Sequence, residues 1–337
     1  MSKLAVTLAV ALLALLAAAS AFADTTFEAR TFATAPGASS DVALDLVVSS
    51  PPPVAKIVIY VPQGYGLTTS TPAGTTVGTI DAMAEVGGST LTIPTGNIVA
   101  DNPANYTSLP RAQACAPGAH AAVWVAKPAN FNIPIYVDPT SGAETALGAY
   151  KLQTCLPSPT DPTSPAPGTR LTEAELGFTR TVLTNPSTPG AYLWRVFNTP
   201  YVAGTATPNP AGTYELRSAV FIPASLTIKK KSYTKKTKRA VLTGKFSLLG
   251  QALKGIRVFV FSVASDGSVK VIGRPKTNKK GIYSLKVKVT KTTTFSALVV
   301  GPSGACDATP ASPAPAGCVN ETDTSIFANF LRVVPKK

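Results

Sequence analysis

The stretch Ser225–Val300, SLTIKKKSYTKKTKRAVLTGKFSLLGQALKGIRVFVFSVASDGSVKVIGRPKTNKKGIYSLKVKVTKTTTFSALVV, sets the fold class. Within it, IYSLKVKV places Tyr283, Leu285, Val287 and Val289 on one side of an extended chain, and Ser284, Lys286 and Lys288 on the other. Side chains alternate across a strand, so this pattern predicts a β-strand with one buried and one wet face. The same reading predicts strands at 224–228, 239–248, 255–263, 268–272, 282–289, 294–300 and 325–334, seven in all, the number a small sandwich needs. Asp266-Gly267 supplies a two-residue hairpin turn, because both residues tolerate positive φ.

The stretch also carries most of the charge. Between Leu226 and Thr293 stand 18 lysines and arginines and one acid, Asp266. From Ser225 onward the formal charge is +17, whereas residues 24–224 sum to −4. Such asymmetry between halves is the footprint of a part that meets a polyanion. It bears on partners and solubility rather than on fold.

Toward the N-terminus, Lys3, an apolar run from Leu4 to Ala19, and the small residues Ala21 and Ala23 before Asp24 read as a secretory signal over residues 1–23. The apolar run is short for a membrane span, so no integral membrane segment is expected after cleavage. Residues 24–223 alternate short apolar runs with turn chemistry: VALDLVVSS, VAKIVIYVP, STLTIPTG, AAVWVAKP, FNIPIYVDP, YKLQTCLP, FTRTVLTNP, AYLWRVFNTPY and YELRSAVFIP. In VAKIVIYV the residues Ala55, Ile57, Ile59 and Val61 form a wholly apolar side that must lie on a core. LTEAELG at Leu171 is the best helical window, and it is short. The expectation is an all-β chain of two β-sandwich domains, a larger one over 24–223 and a basic one over 224–337.

The run LTGKFSLLGQALKGIRVFVF, followed by VIGRPKTNKKGIYSLKV and TTTFSALV, resembles bacterial immunoglobulin-like repeats and carboxypeptidase regulatory-like domains. Their TGxV…GxPLxGxxV…TDxxGxY pattern is matched by Thr243, Gly244, Gly250, Leu253, Gly255, Val258, Thr277, Gly281 and Tyr283, with Asn278 where Asp is usual. Asn and Asp both favour tight turns, so the departure changes little. The resemblance implies a seven-stranded immunoglobulin-like, or prealbumin-like, sandwich and an extracellular spacer or binding role, with no chemistry. Residues 24–223 resemble no family that their motifs would name.

The remaining residue types narrow the function by exclusion. Four cysteines in an exported chain imply two disulfides, and sequence neighbours are the expected partners: Cys115 with Cys155, and Cys306 with Cys318 around the loop DATPASPAPAG. His120 is the single histidine, beside a strand and away from any G-x-S-x-G turn, so its expected place is a surface or an edge strand. One histidine and scattered cysteines cannot assemble a zinc site, and ASDGS at Ala264 and ETDT at Glu321 hold too few carboxylates for a calcium loop. Neither G-x-G-x-x-G nor a P-loop occurs, so no metal and no cofactor is expected. Glu173 with Glu175, and Asp41 with Asp45, each share one side of a strand, which suits either a glycosidase pair or a solvated face. Tyr192 and Trp194 likewise offer a sugar platform or core area.

The basic cluster remains. Lys229, Lys230, Lys231, Lys235, Lys236, Lys238 and Arg239 fall in or beside one loop between the first two strands of the module. Cations at this density attract phosphate or carboxylate polymers. A nucleic-acid reader interleaves aromatics and favours arginine, yet only Tyr233 interrupts the cluster and lysine predominates, so no specific nucleic acid is expected. Lysine on an edge strand also blocks edge-to-edge aggregation, which is the plain alternative. The sequence thus predicts a secreted, non-enzymatic cell-surface or extracellular protein, whose seven cations contact an anionic cell-envelope polymer without covalent attachment. The rival from another class is a secreted carbohydrate-active or other hydrolytic protein with an accessory immunoglobulin-like module. A cleft of convergent carboxylates in the N-terminal half would mark it.

Overall fold

The computed structural model describes residues 25–48, 52–129, 131–160, 168–264, 268–301 and 324–335. The expected signal segment, the expected turn at Asp266 and Gly267, and Cys306 and Cys318 with the residues between them lie outside the described residues. The chain divides into two compact units, one over Asp24–Ile222 and one over Pro223–Gly301 with Ser325–Lys337. Among the described residues the structure is nearly all β, and the α-helical part is the single short helix Pro110–Cys115.

In the larger unit the strands are β1 (Thr26–Thr31), β2 (Val42–Val47), β3 (Val54–Val61), β4 (Gly66–Leu67), β5 (Thr76–Val86), β6 (Ser89–Asp101) and β7 (Ala122–Lys127). They continue as β8 (Ile133–Pro139), β9 (Tyr150–Cys155), β10 (Thr169–Phe178), β11 (Leu183–Thr184), β12 (Gly190–Pro200) and β13 (Tyr214–Ile222). Eleven of these form one antiparallel sheet in the order β1-β2-β10-β5-β6-β7-β8-β9-β3-β12-β13, and β4 pairs with β11. The two edge strands β1 and β13 lie side by side, and the Ala29 N–H donates to Ser218 Oγ at 3.0 Å. Accumulated right-handed twist lets a sheet this wide curl until its edges meet. The expected pair of facing sheets is therefore one continuous sheet rolled into a barrel-like shell, because no neighbouring pair in the order breaks its ladder.

The inward face carries the core, including Phe27, Leu44, Ile98, Trp124, Trp194 and Leu216, each almost fully buried. Burying such side chains contributes about 1.5–3 kcal/mol apiece before entropy is counted. The apolar side of VAKIVIYV faces this core as its alternation requires, with Ile57, Ile59 and Val61 buried. LTEAELG is a strand and not a helix: β10 sits between β2 and β5, where ladder bonds on both sides outweigh a short run of helix formers. A bulge in β10 leaves Thr172 without a partner on β5, between Leu171 opposite Ala84 and Glu173 opposite Met83. Outside the shell, the helix Pro110–Cys115 packs with Tyr106 on Val123, Val125 and Tyr136. The disulfide Cys115–Cys155, with Cα atoms 5.8 Å apart, ties that helix to the end of β9.

The smaller unit contains β14 (Ala224–Leu226), β15 (Lys229–Thr234), β16 (Arg239–Leu248), β17 (Gln251–Ala252), β18 (Phe259–Val263), β19 (Val269–Gly273), β20 (Ile282–Lys288), β21 (Thr293–Gly301), β22 (Thr324–Phe327) and β23 (Leu331–Val333). In one sheet β14 and β15 follow one another along one side of β16, and β20 pairs with its other side. The other runs β19-β18-β21-β22, with β23 also on β21. Leu242, Phe246, Tyr283 and Val287 of the first sheet share a core with Val258, Val260, Phe295 and Ala297 of the second. The Tyr283 hydroxyl donates to Thr227 O at 2.7 Å, directly across Gly244. A Cβ on Gly244 would lie 1.7 Å from Thr227 O and 2.6 Å from the Tyr283 ring, so only glycine fits.

Gly244→Ala is accordingly expected to cost at least about 3 kcal/mol through overpacking, read as a lowered urea midpoint. Replacing Cys115 and Cys155 together by Ser opens a cross-link across a sequence separation of 40. On the chain-entropy model this loses about 4 kcal/mol, read the same way, with the smaller unit's melting unchanged.

Candidate functional site

The seven expected cations are brought together on one hairpin. Lys229, Lys230 and Lys231 lie on β15 and not in a loop, because this segment pairs with β16 from Lys229 opposite Thr243 to Thr234 opposite Arg239, with a register shift at Lys231. Lys235, Lys236 and Lys238 form the turn, closed by the Lys238 N–H on Lys235 O at 3.2 Å, with Lys238 in the left-handed region at φ 51°. Arg239 opens β16. On its far side β20 adds Lys288 opposite Arg239 and Lys286 opposite Val241, so these three share the outward face with Lys229, while Lys230 stands opposite the core residue Leu242 at the sheet edge. All nine side chains are exposed. β15 is an edge strand, so the same lysines also guard a free edge.

The electrostatics of this face are one-sided. The described part of the smaller unit contains no Asp or Glu. In the larger unit, by contrast, Arg30, Lys151, Arg170, Arg180, Arg195 and Arg217 each pair with a carboxylate. Tyr233, the one aromatic within the cluster, is half-buried and spends its hydroxyl on Val289 O at 3.2 Å, so it is no stacking platform.

The carboxylates singled out in sequence meet others that the sequence does not join to them. The registers place Glu28, Asp45, Glu175 and Asp81 in one row across β1, β2, β10 and β5. Arg30, two residues along β1, pairs with Glu175 at 3.4 Å. Glu28, Asp45 and Glu175 are all buried, Asp41 is held by Arg180, and the row faces away from the shell interior. It presents no open acid and base pair to a substrate. Burial pushes the Asp45 carboxyl up to about 7, opposed by the Arg30 guanidinium and reinforced by Glu175 and its acidic neighbours. Burial raises Glu175 and Glu173 as well.

His120 is not a surface histidine. Its side chain is 2 % exposed, with Nδ1 2.8 Å from Asp138 Oδ2, Nε2 3.1 Å from Ala116 O, and the ring 4.6 Å from that of Tyr136. Both nitrogens are spent on these ties, which leaves none to serve a nucleophile. Trp194 is fully buried against Tyr65, so the Tyr192 and Trp194 pair is core and not a sugar platform. No group of His, Cys, Asp or Glu among the described residues is arranged to hold a metal ion.

One feature left no signal in the sequence. The shell interior is not filled at one end, where an apolar cavity of about 120 Å³ opens between β2, β10, β5, β6, β8, β9 and β3. Its walls are the residues that alternate with the carboxylate row: Phe27, Leu46, Ala174 and Ala82 stand in one register, and Leu44, Leu176 and Ile80 in the next.

No family model matches the chain, and no curated protein matches it. Among solved structures it is similar to one from Corynebacterium diphtheriae described as "Putative membrane anchored protein", at 13% identity and a TM-score of 0.20 over 90% of this chain and 53% of that one. The chain thus spans about half the length of that protein. No helix among the described residues is long and apolar enough to cross a membrane.

The raised Asp45 gives a pH dependence of definite sign. The folded state keeps a proton that the unfolded chain releases, so stability falls as pH rises from about 4 to about 7 and then levels. Asp45→Asn is expected to remove this segment of slope and to be more stable than the parent at pH 8, checked by urea unfolding over a pH series.

Proposed function

We propose that this is an exported, non-enzymatic binding protein in which residues 224–337 form an immunoglobulin-like module that holds the chain on anionic envelope polymers. The observation that carries the reading is the exposed cationic hairpin of β15 and β16, in a unit whose described residues include no carboxylate. Six of the nine lysines and arginines of the larger unit are ion-paired, whereas the cations of the hairpin have no carboxylate among the described residues of their own unit to pair with. Unpaired, they cost the compact state through mutual repulsion, which an external polyanion relieves.

The immunoglobulin-like part of the reading is supported by the local geometry of the matched motif. Asn278 Oδ1 accepts from the backbone of Lys280 and Ile282 at 2.9 and 3.0 Å, the service an Asp would give there. Gly281 has φ 70°, and a Cβ on it would meet Phe246 O at 2.3 Å. The motif residues therefore act as turn and packing residues, in keeping with a scaffold that carries its function on its surface. Lysine, a strongly hydrated point charge, suits a diffuse polymer such as a teichoic or uronic-acid chain better than a bidentate phosphate reader would.

The test is retention on isolated envelopes across a salt titration. The parent is expected to bind at low salt and elute as salt rises. The variant with Lys229, Lys230, Lys231, Lys235, Lys236, Lys238 and Arg239 all replaced by Gln should lose at least about tenfold in retention and most of the salt slope. Equal retention of both proteins would reject the proposal and leave the lysines as guards of the β15 edge.

A further inference from the structure

We propose that the open end of the larger unit is a binding site for one acyl chain of a single-chain amphiphile. The site is independent of the cationic hairpin, since every residue lining it lies between Phe27 and Leu176.

Three observations select this ligand class. The first is the lining, which is aliphatic except for Phe27, Phe131, two threonines and Arg170. Arg170 stands opposite Glu85 in the register that alternates with the inward Thr169 and Leu171, and it is ion-paired to that residue. The second is size: about 120 Å³ is slightly less than the roughly 150 Å³ apolar cavity that stays dry and takes benzene. A run of methylenes fits such a space, and a fused ring system does not. Left empty, the lining atoms forgo dispersion contacts that a chain would restore.

The third observation is that the apolar surface does not stop at the mouth. The β5–β6 hairpin extends past it, and Ala84 opposite Leu91 and Ala82 opposite Ile93 continue the inward face along both strands. Leu91 is 56% exposed and Val86 is 40% exposed, the first on the same face as the lining residue Ile93 and the second on that of Ala84. They form an apolar lip on which the outer part of a chain can lie.

Two polar atoms of the lining residues are buried without a hydrogen-bond partner, Thr154 Oγ1 and Arg170 Nη1, and the first lies on the inward face. Thr154, opposite Ile57 on the inward face of β9, has its hydroxyl buried with no hydrogen-bond partner. A buried orphan hydroxyl is costly, and it is satisfied when a ligand brings an oxygen to it. The acyl carbonyl is such an acceptor, shared by a free fatty acid and by an ester of one.

The experiment titrates the full chain with cis-parinaric acid, whose fluorescence rises in an apolar site, and displaces it with octanoic, decanoic and dodecanoic acids, the methyl ester of each, and a sterol. Saturable binding is expected, with displacement strengthening about fourfold per added methylene until cavity and lip are filled. Displacement by acids alone identifies a free fatty acid as the natural source, and displacement by esters as well identifies an acyl ester. Ala174→Phe fills the cavity and should weaken binding at least about tenfold, with folding checked by circular dichroism. Thr154→Val keeps the shape, so it holds the test even if the first variant unfolds. It should weaken displacement by acid or ester about threefold to tenfold while raising the stability of the unliganded protein. The seven-site Gln variant of the hairpin should bind undiminished, which separates this site from the proposed envelope contact. The proposal is overturned if the parent shows no saturable signal, if the sterol competes as well as dodecanoic acid, or if folded Ala174→Phe binds as the parent does. Unchanged affinity in Thr154→Val overturns the role given to its hydroxyl.

Discussion

The structure of the larger unit depends on the ten successive antiparallel ladders that join its eleven strands. An open sheet of eleven strands would expose two edges whose unpaired amides invite other chains, and a sheet that curls until β1 lies beside β13 hides both at once. Closure also fixes what the two sides of the sheet are for. The inward face is mostly apolar and carries the core, and the outward face carries the row of carboxylates. Period-two alternation then distributes both kinds of residue along the same strands, which is why the wall containing Phe27, Leu46 and Ala174 lies one residue out of step with the row of Glu28, Asp45 and Glu175.

Much of this was legible in the sequence wherever the determinant is local. VAKIVIYV and RAVLTGKFSL are strands at Val54–Val61 and Arg239–Leu248, and IYSLKVKV buries Tyr283 and Val287 while exposing Lys286 and Lys288. The pairing of Cys115 with Cys155 followed from proximity in sequence and is present. The seven cations lie together because a tight hairpin keeps sequence neighbours as neighbours in space.

What was not legible is set by distant partners. β10 enters between β2 and β5, so LTEAELG takes its conformation from residues far away in the chain, and the carboxylate row becomes a row only through that insertion. Lys229 and Lys230 have poor strand propensity and pair with β16 because the edge position leaves their side chains in water. The short strand β1 holds the Glu28 and Arg30 that neighbour Asp45 and Glu175, yet TFEART has too few alternating positions to declare itself. A cavity is the extreme case, since a void is the absence of side-chain volume between strands that need not be close in sequence.

The bulge at Thr172 has a consequence for how this chain can change. The inward positions of β10 run Thr169, Leu171, then Ala174, Leu176 and Phe178, and the two runs share the interior because Thr172 is set aside as an extra residue. Losing Thr172 would leave Leu171 opposite Ala84 and Arg170 opposite Glu85 in a regular ladder. Losing a residue at a regular position of the same strand would instead carry one half of it to the other face. The bulge therefore marks the one place in β10 where the chain can shorten by a residue and keep its inward face.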